Sequence, residues 1–264
     1  MTARGKHRQF RITVMLGNTG ADRRTLDMLG LLAAETPAKI LGLFIEDIEL
    51  LGLADLPVVR EYCRLTQVER QLNSADLQRQ LRIQARSARQ ALAAIAGRMG
   101  FSWSFRTVRG SLSSLLPHAA QDMDVMLLGA ARRTLPFASH LSPTTRPHPL
   151  DQPVSIIFDG SQAAQRALAV ASRIARAGVQ SLNVFLMAAN ADELTSLRAQ
   201  SRALAGPITL RLHEHVNPDF NEILAAVRSE RTGILLLGMN EQLISPESVD
   251  LLRKRLGCPA VLVK

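Results

Sequence analysis

Short runs of branched apolar residues alternate along this chain with stretches where apolar side chains recur every third or fourth position. The runs predict strands buried on both faces of a parallel sheet, and the spaced stretches predict amphipathic helices. From residue 154 onward the alternation is unbroken. It predicts strands at 154–158, 182–187, 208–216, 234–237 and 260–263, separated by helices at about 162–177, 191–204, 219–230 and 246–256. Residues 1–130 use the same grammar, with strands at 10–16, 40–45, 102–108 and 125–128 and helices at about 22–35, 74–99 and 110–121. A repeat of this length predicts an internal duplication into two domains, not a solenoid. The domains fall at 1–130 and 153–264, joined by a linker at 131–152. That linker spends Pro136, Pro143, Pro147 and Pro149 and leaves no room for a strand, so the first domain is expected to lack its fifth.

Two features of the first domain have no counterpart in the second. Residues 46–66 (EDIELLGLADLPVVREYCRLT) are apolar, broken by Gly52 and Pro57, and leave the carboxyl end of a strand. The segment reads either as a lid or partner-binding flap, or as a flap folded onto its own domain. The helix at 74–99 buries Leu77, Leu81, Ala88, Leu92, Ile95 and Met99 on one face. It carries Arg79, Arg82, Arg86 and Arg89 about half a turn away. Guanidiniums in one stripe repel one another unless an anion neutralises them. The stripe is therefore either a solvated face or a surface for nucleic acid or another polyanion.

The last thirty residues are the most informative. Leu237-Gly238 closes a strand, and Ser245-Pro246-Glu247 has the chemistry of a helix start, with Ser245 as cap. Gly257 ends that helix, and Cys258-Pro259-Ala260-Val261-Leu262-Val263 is a final strand whose proline suits an edge. These landmarks resemble the carboxyl end of the universal stress protein family, and PVSIIFDGSQAAQRALAVA at 153–171 resembles its opening strand, Asp-Gly-Ser turn and helix. The resemblance implies an α/β fold of two tandem doubly wound parallel sheets with strand order 3-2-1-4-5. It also implies a nucleotide site at the point where the strand order reverses. There Asp159, Gly160 and Ser161 would face Gly238 and Asn240, with Ser248 at the end of the phosphate loop. In members that bind ATP, that loop is Gly-x2-Gly-x9-Gly-Ser/Thr. Here Gly238 matches the first glycine, Glu241 replaces the second, and Glu247-Ser248 stands where Gly-Ser would. Gly238 to Ser248 is ten steps against the family's fourteen. In the first domain Gly17 replaces the Asp, and Gly129-Ala130-Ala131-Arg132 lacks the second glycine. ATP is thus disfavoured and no cofactor is expected.

Composition adds two points. Of 264 residues, 32 are basic and 23 acidic, a formal charge of +9. Residues 1–150 hold 20 basic and 12 acidic side chains, so the excess lies in the first half and nearly all of it is Arg. That balance attracts nucleic acid or an acidic protein. Cys63 and Cys258 form neither a disulfide framework nor a metal cluster, and no apolar run is long enough to span a membrane. With no signal peptide recognised, the expected location is the cytoplasm, and no membrane partner is expected. His213 and His215 share one face of an edge strand, but no third metal ligand accompanies them. Ser161 has no histidine to activate it, so no catalytic group is assigned. Together with the absence of an assigned catalytic group, the resemblance implies a non-enzymatic, stress-response binding protein. The alternatives are a nucleotide-binding member with an altered loop and a basic module that binds nucleic acid. It is expected to pair with a second copy through the free edge of its last strand, as family members often do.

Overall fold

The computed structural model describes residues 10–16, 23–33, 38–56, 58–63, 67–129, 152–177, 181–240, 245, 248, 251–252 and 255–264. The basic tail at 1–9 and the linker, apart from Gln152, lie outside them. In the first half the elements are β1 (Phe10–Leu16), α1 (Arg23–Ala33), β2 (Ala38–Asp47), α2 (Ile48–Ala54), β3 (Arg60–Cys63), β4 (Val68–Gln71), α3 (Ser74–Met99), β5 (Ser102–Gly110), α4 (Leu112–Gln121) and β6 (Val125–Leu128). The second half contributes β7 (Val154–Phe158), α5 (Gln162–Ala177), β8 (Ser181–Ala188), α6 (Ala191–Ala205), β9 (Thr209–Val216), α7 (Phe220–Ser229), β10 (Ile234–Gly238) and β11 (Ala260–Val263).

Nine strands form one sheet in the order β5-β2-β1-β6-β11-β10-β7-β8-β9, and β3 pairs with β4 in a separate hairpin. The second half therefore has the expected 3-2-1-4-5 order, and the first half has 3-2-1-4. Every pairing in the large sheet is parallel except one: β11 runs antiparallel to β6. The place beside β6 that a fifth strand of the first half would fill is taken by the last strand of the second. This corrects the expected route to a dimer. Both edges of β11 are occupied, so it offers no free edge to another copy. Pro259 precedes the strand, and its carbonyl accepts from Leu235 N at 3.0 Å, which reconciles the proline with an interior position.

The sequence of the junction explains its stability. Val125-Met-Leu-Leu and Ala260-Val-Leu-Val alternate between the two faces, and the register pairs Val261 with Leu127 and Leu262 with Met126. Leu127 and Val261 belong to one core, Met126 and Leu262 to the other, and all are buried. Burying each such side chain contributes roughly 1.5–3 kcal/mol relative to leaving it exposed. Polar bonds close the ends of the strands. Asp124 N donates to Arg11 O at 2.9 Å, and Lys264 N donates to Asp124 O at 3.0 Å. The Lys264 ammonium donates to the carbonyls of Ala120 and Gln121, so a second-half cation caps the last turn of α4 where the helix dipole is negative.

The two cores lie on opposite faces of the sheet. Side chains of α1, α2, α3, α5 and α6 pack on one face; those of α4, α7, Leu252 and Leu256 pack on the other. The first core runs across both halves, where α1 meets α5. The antiparallel junction also sets polarity. The carboxyl ends of β1 and β2 emerge at one end of the sheet, and those of β7 and β10 at the opposite end.

Gly238 is fixed by the packing of α5 on β10. A Cβ there would lie 2.3 Å from Ala164 N and 2.6 Å from Ala163 C. Those are backbone atoms and cannot rotate away, so α5 would have to move. Gly238→Ala should lower stability by about 1–3 kcal/mol in urea unfolding without any ligand present. An unchanged midpoint would show that this glycine is kept for something other than packing.

Candidate functional site

The second-half crevice forms where the strand order reverses, between the carboxyl ends of β7 and β10. Residues after β7 turn into α5 through hydrogen bonds typical of a helix start. Asp159 Oδ1 accepts from Ser161 N at 3.0 Å, and Ser161 Oγ accepts from Ala164 N at 3.2 Å. Gly160 stands at φ 75°, a conformation that favours glycine, and a Cβ on it would meet Leu197 Cδ2 at 2.5 Å. Gln165 Nε2 donates to Gly160 O and fixes the turn from the helix side.

Asn240, two residues past the end of β10, reaches back over this turn. Its Nδ2 donates to Asp159 Oδ2 at 3.2 Å. Both carboxylate oxygens of Asp159 thus have donors from the chain itself. The sequence brings Asp159, Gly160, Ser161, Gly238 and Asn240 together as expected, and the contact it did not reveal is the one that spans them. Beyond Asn240, Ser245 caps the final helix: Ser248 N donates to Ser245 Oγ at 3.2 Å, and the two hydroxyls lie 3.1 Å apart. Ser248 is thereby engaged in a helix start. Glu241 and Glu247, the carboxylates that replace loop glycines, lie outside the described residues.

The matching place in the first half lies between β1 and β6. Gly129 faces the buried hydroxyl of Thr25, which would be 3.3 Å from a Cβ at that glycine. Thr25 Oγ1 has no hydrogen-bond partner among the described residues. Gly17 lies outside the described residues.

The Arg face is present as the spacing predicts. Arg79, Arg82, Arg86 and Arg89 are all exposed on α3, opposite the buried Leu77, Leu81, Ala88, Leu92 and Ile95, whereas Met99, expected on that buried face, is exposed at the last residue of the helix. Arg79 pairs with Asp76 at 3.1 Å, while Arg82, Arg86 and Arg89 have no ion-pair partner among the described residues. The expected flap at 46–66 divides differently. Glu46 and Asp47 end β2, α2 packs on α3, β2 and β5, and the hairpin β3–β4 carries the unit on to residue 71. It sits at the carboxyl end of β2, the opposite end of the sheet from Asp159, and so cannot close over that crevice.

His213 and His215 lie on β9, an edge strand, and share a face as predicted. Both stack on Phe185, with ring centroids at 4.5 and 6.2 Å. No group of three or more metal-ligating side chains exists among the described residues. Cys258 is buried. His140 and His148 fall outside the described residues. No helix among those described is long and apolar enough to cross a membrane.

No family model and no curated protein matches the sequence. Solved structures do match. A universal stress protein from Archaeoglobus fulgidus DSM 4304 is 14% identical with a TM-score of 0.52, over 96% of this chain and 96% of that one. A putative universal stress protein from Pseudomonas aeruginosa UCBPP-PA14 is 13% identical with a TM-score of 0.47, over 97% and 94%. A universal stress protein in complex with cAMP is 18% identical with a TM-score of 0.35, over 43% of this chain and 96% of that one. At such identities the likeness speaks for architecture, and the first of these supports it along nearly the whole chain: the chain has the universal stress protein fold.

Proposed function

We propose that this protein is a tandem universal-stress-like protein that works in the stress response by binding, without catalysis, and that its second-half crevice does not take ATP. The observation that carries the reading is the Asp159–Asn240 bridge. The carboxylate that would meet a nucleoside already accepts from Ser161 N and Asn240 Nδ2. Each oxygen already holds one donor, so a ligand hydroxyl would bond only at the lone pairs that remain and would gain less than at a free carboxylate. Gly238 is accounted for by the backbone of α5, so its presence is no sign of a phosphate loop. The loop is four residues short by comparison with the family, and two of its glycines are replaced by Glu241 and Glu247. A like charge at ~4 Å opposes a triphosphate by roughly 1 kcal/mol in water and about 4 kcal/mol at an effective dielectric of 20. A micromolar affinity amounts to about −8 kcal/mol, so a carboxylate at such a distance would remove a large part of it.

Calorimetry with ATP and magnesium should show no saturable binding in the micromolar range. Micromolar binding that is lost in Asp159→Ala would overturn the reading and restore the nucleotide-binding alternative. Asn240→Ala tests the bridge itself. It should lower stability by about 1 kcal/mol, whereas a side chain poised for a ligand could be removed from the free protein without loss.

A further inference from the structure

If the crevice is closed, binding has to occur elsewhere, and the exposed apolar surface is unevenly distributed. Ten large apolar side chains are exposed among the described residues, and six of them lie between 48 and 68: Ile48, Leu53, Leu56, Val58, Tyr62 and Val68. Single exposed apolar residues are ordinary, but a concentration in one small unit marks an interaction surface. The unit is ordered by its own bonds. Asp47 caps α2, tight turns link Leu53 to Val59, and Leu72 N donates to Val59 O at 3.1 Å. The ion pairs Arg70–Glu61 and Arg60–Glu69 run across the hairpin. Leu50, Leu51 and Leu72 pack on the core from beneath, so the outer residues are held out by a supported scaffold. Val58 is the most exposed of them, at 82%.

The hairpin adjoins the start of the Arg stripe. Glu61, Arg70, Leu72, Asp76, Arg79 and Gln80 line a shared cavity of about 300 Å³. From Arg79 the stripe runs to Arg89, about 15 Å along α3. Its last three guanidiniums have no partner within the described structure. The hairpin face that carries Val68, Glu61 and Arg70, opposite the face of Tyr62, therefore meets a line of positive charge without ion-pair partners among the described residues.

We propose that this surface, the exposed apolar side chains among residues 48–56, 58–63 and 67–71 together with the Arg82–Arg86–Arg89 stripe, docks an acidic amphipathic segment of another protein. The proposal gives the binding function above its partner class and site. Charge complementarity selects the partner. A second copy of this chain brings the same basic half, since residues 1–150 hold 20 basic and 12 acidic side chains. Nucleic acid would meet the Arg stripe but offers nothing to cover the aliphatic side chains, and Tyr62 is the one aromatic exposed there for a base to stack on. An anionic lipid surface is charged throughout and would meet Glu49 and Asp55 beside the apolar residues, whereas a peptide segment can set its carboxylates against the guanidiniums alone. A segment with apolar residues on one side and carboxylates beside them satisfies both parts of the surface.

The test places p-benzoylphenylalanine at Val58 in the full chain, cross-links in living cells of the source organism and sequences the attached peptide. A synthetic copy of that peptide is then titrated against the protein. The expected adduct is a peptide of a different protein with apolar residues at helical spacing and flanking Asp or Glu. Its binding should weaken about tenfold in Arg82→Gln/Arg86→Gln/Arg89→Gln and again in Val58→Ser/Val68→Ser, with the urea midpoint unchanged. An adduct with nucleic acid, with lipid or with a second copy of this chain overturns the proposal. So does the absence of any adduct, or a peptide whose affinity ignores the Arg substitutions. ATP binding in calorimetry would refute the reading of the crevice alone, because the crevice lies at the other end of the sheet and the cross-link does not depend on it.

Discussion

The structure depends on one strand pairing, β11 against β6. Two four-residue strands from opposite ends of the sequence meet antiparallel in the middle of a nine-stranded sheet. An unpaired β6 would expose backbone donors and acceptors together with two apolar faces. The first half supplies no fifth strand among the described residues, and β11 meets that need. Antiparallel pairing turns the second half over relative to the first, so the carboxyl ends of β1 and β2 and those of β7 and β10 point to opposite ends of the sheet. That single consequence separates the apolar unit at 48–71 from the Asp159 crevice and makes them independent surfaces.

Within the crevice, packing and internal hydrogen bonds account for the residues that would otherwise be read as ligand contacts. Gly238 is where a phosphate loop would begin, yet its missing side chain is needed by the backbone of Ala163 and Ala164. Asp159 is where a nucleoside contact would be, yet its two oxygens serve a helix start and a bridge to Asn240. A site whose polar groups already satisfy one another has little to offer an incoming ligand. Uncommitted polar and apolar groups are instead found on the first half, as unpaired guanidiniums beside exposed aliphatic side chains.

Much of this was legible in the sequence, because long elements carry their own periodicity. The face of α3 that is buried, the cap at Ser245, the strand order of the second half and the stacking side of His213 and His215 all follow from local patterns. The partner of β11 did not. A run such as Ala260-Val-Leu-Val is apolar whether it ends a sheet or sits inside one, and Pro259 favoured the edge reading. The hairpin was missed for a different reason. Arg60-Glu-Tyr-Cys and Val68-Glu-Arg-Gln are short and charged, and their pairing becomes evident only when Arg60 meets Glu69 and Arg70 meets Glu61 across the strands. The Asp159–Asn240 bridge joins residues 81 positions apart, and no spacing rule encodes it.

Native-state hydrogen exchange tests the shared-strand account most directly. Exchange free energies report which elements open together. If β11 holds the halves in one sheet, the hydrogen-bonded amides of β6 and β11 should exchange only through global unfolding, at the same free energy as those of β1 and β7. If the β6 amides instead open with β1 and β2 at a distinctly lower free energy, while β7, β8 and β10 stay protected, the halves are independent units and the account is wrong.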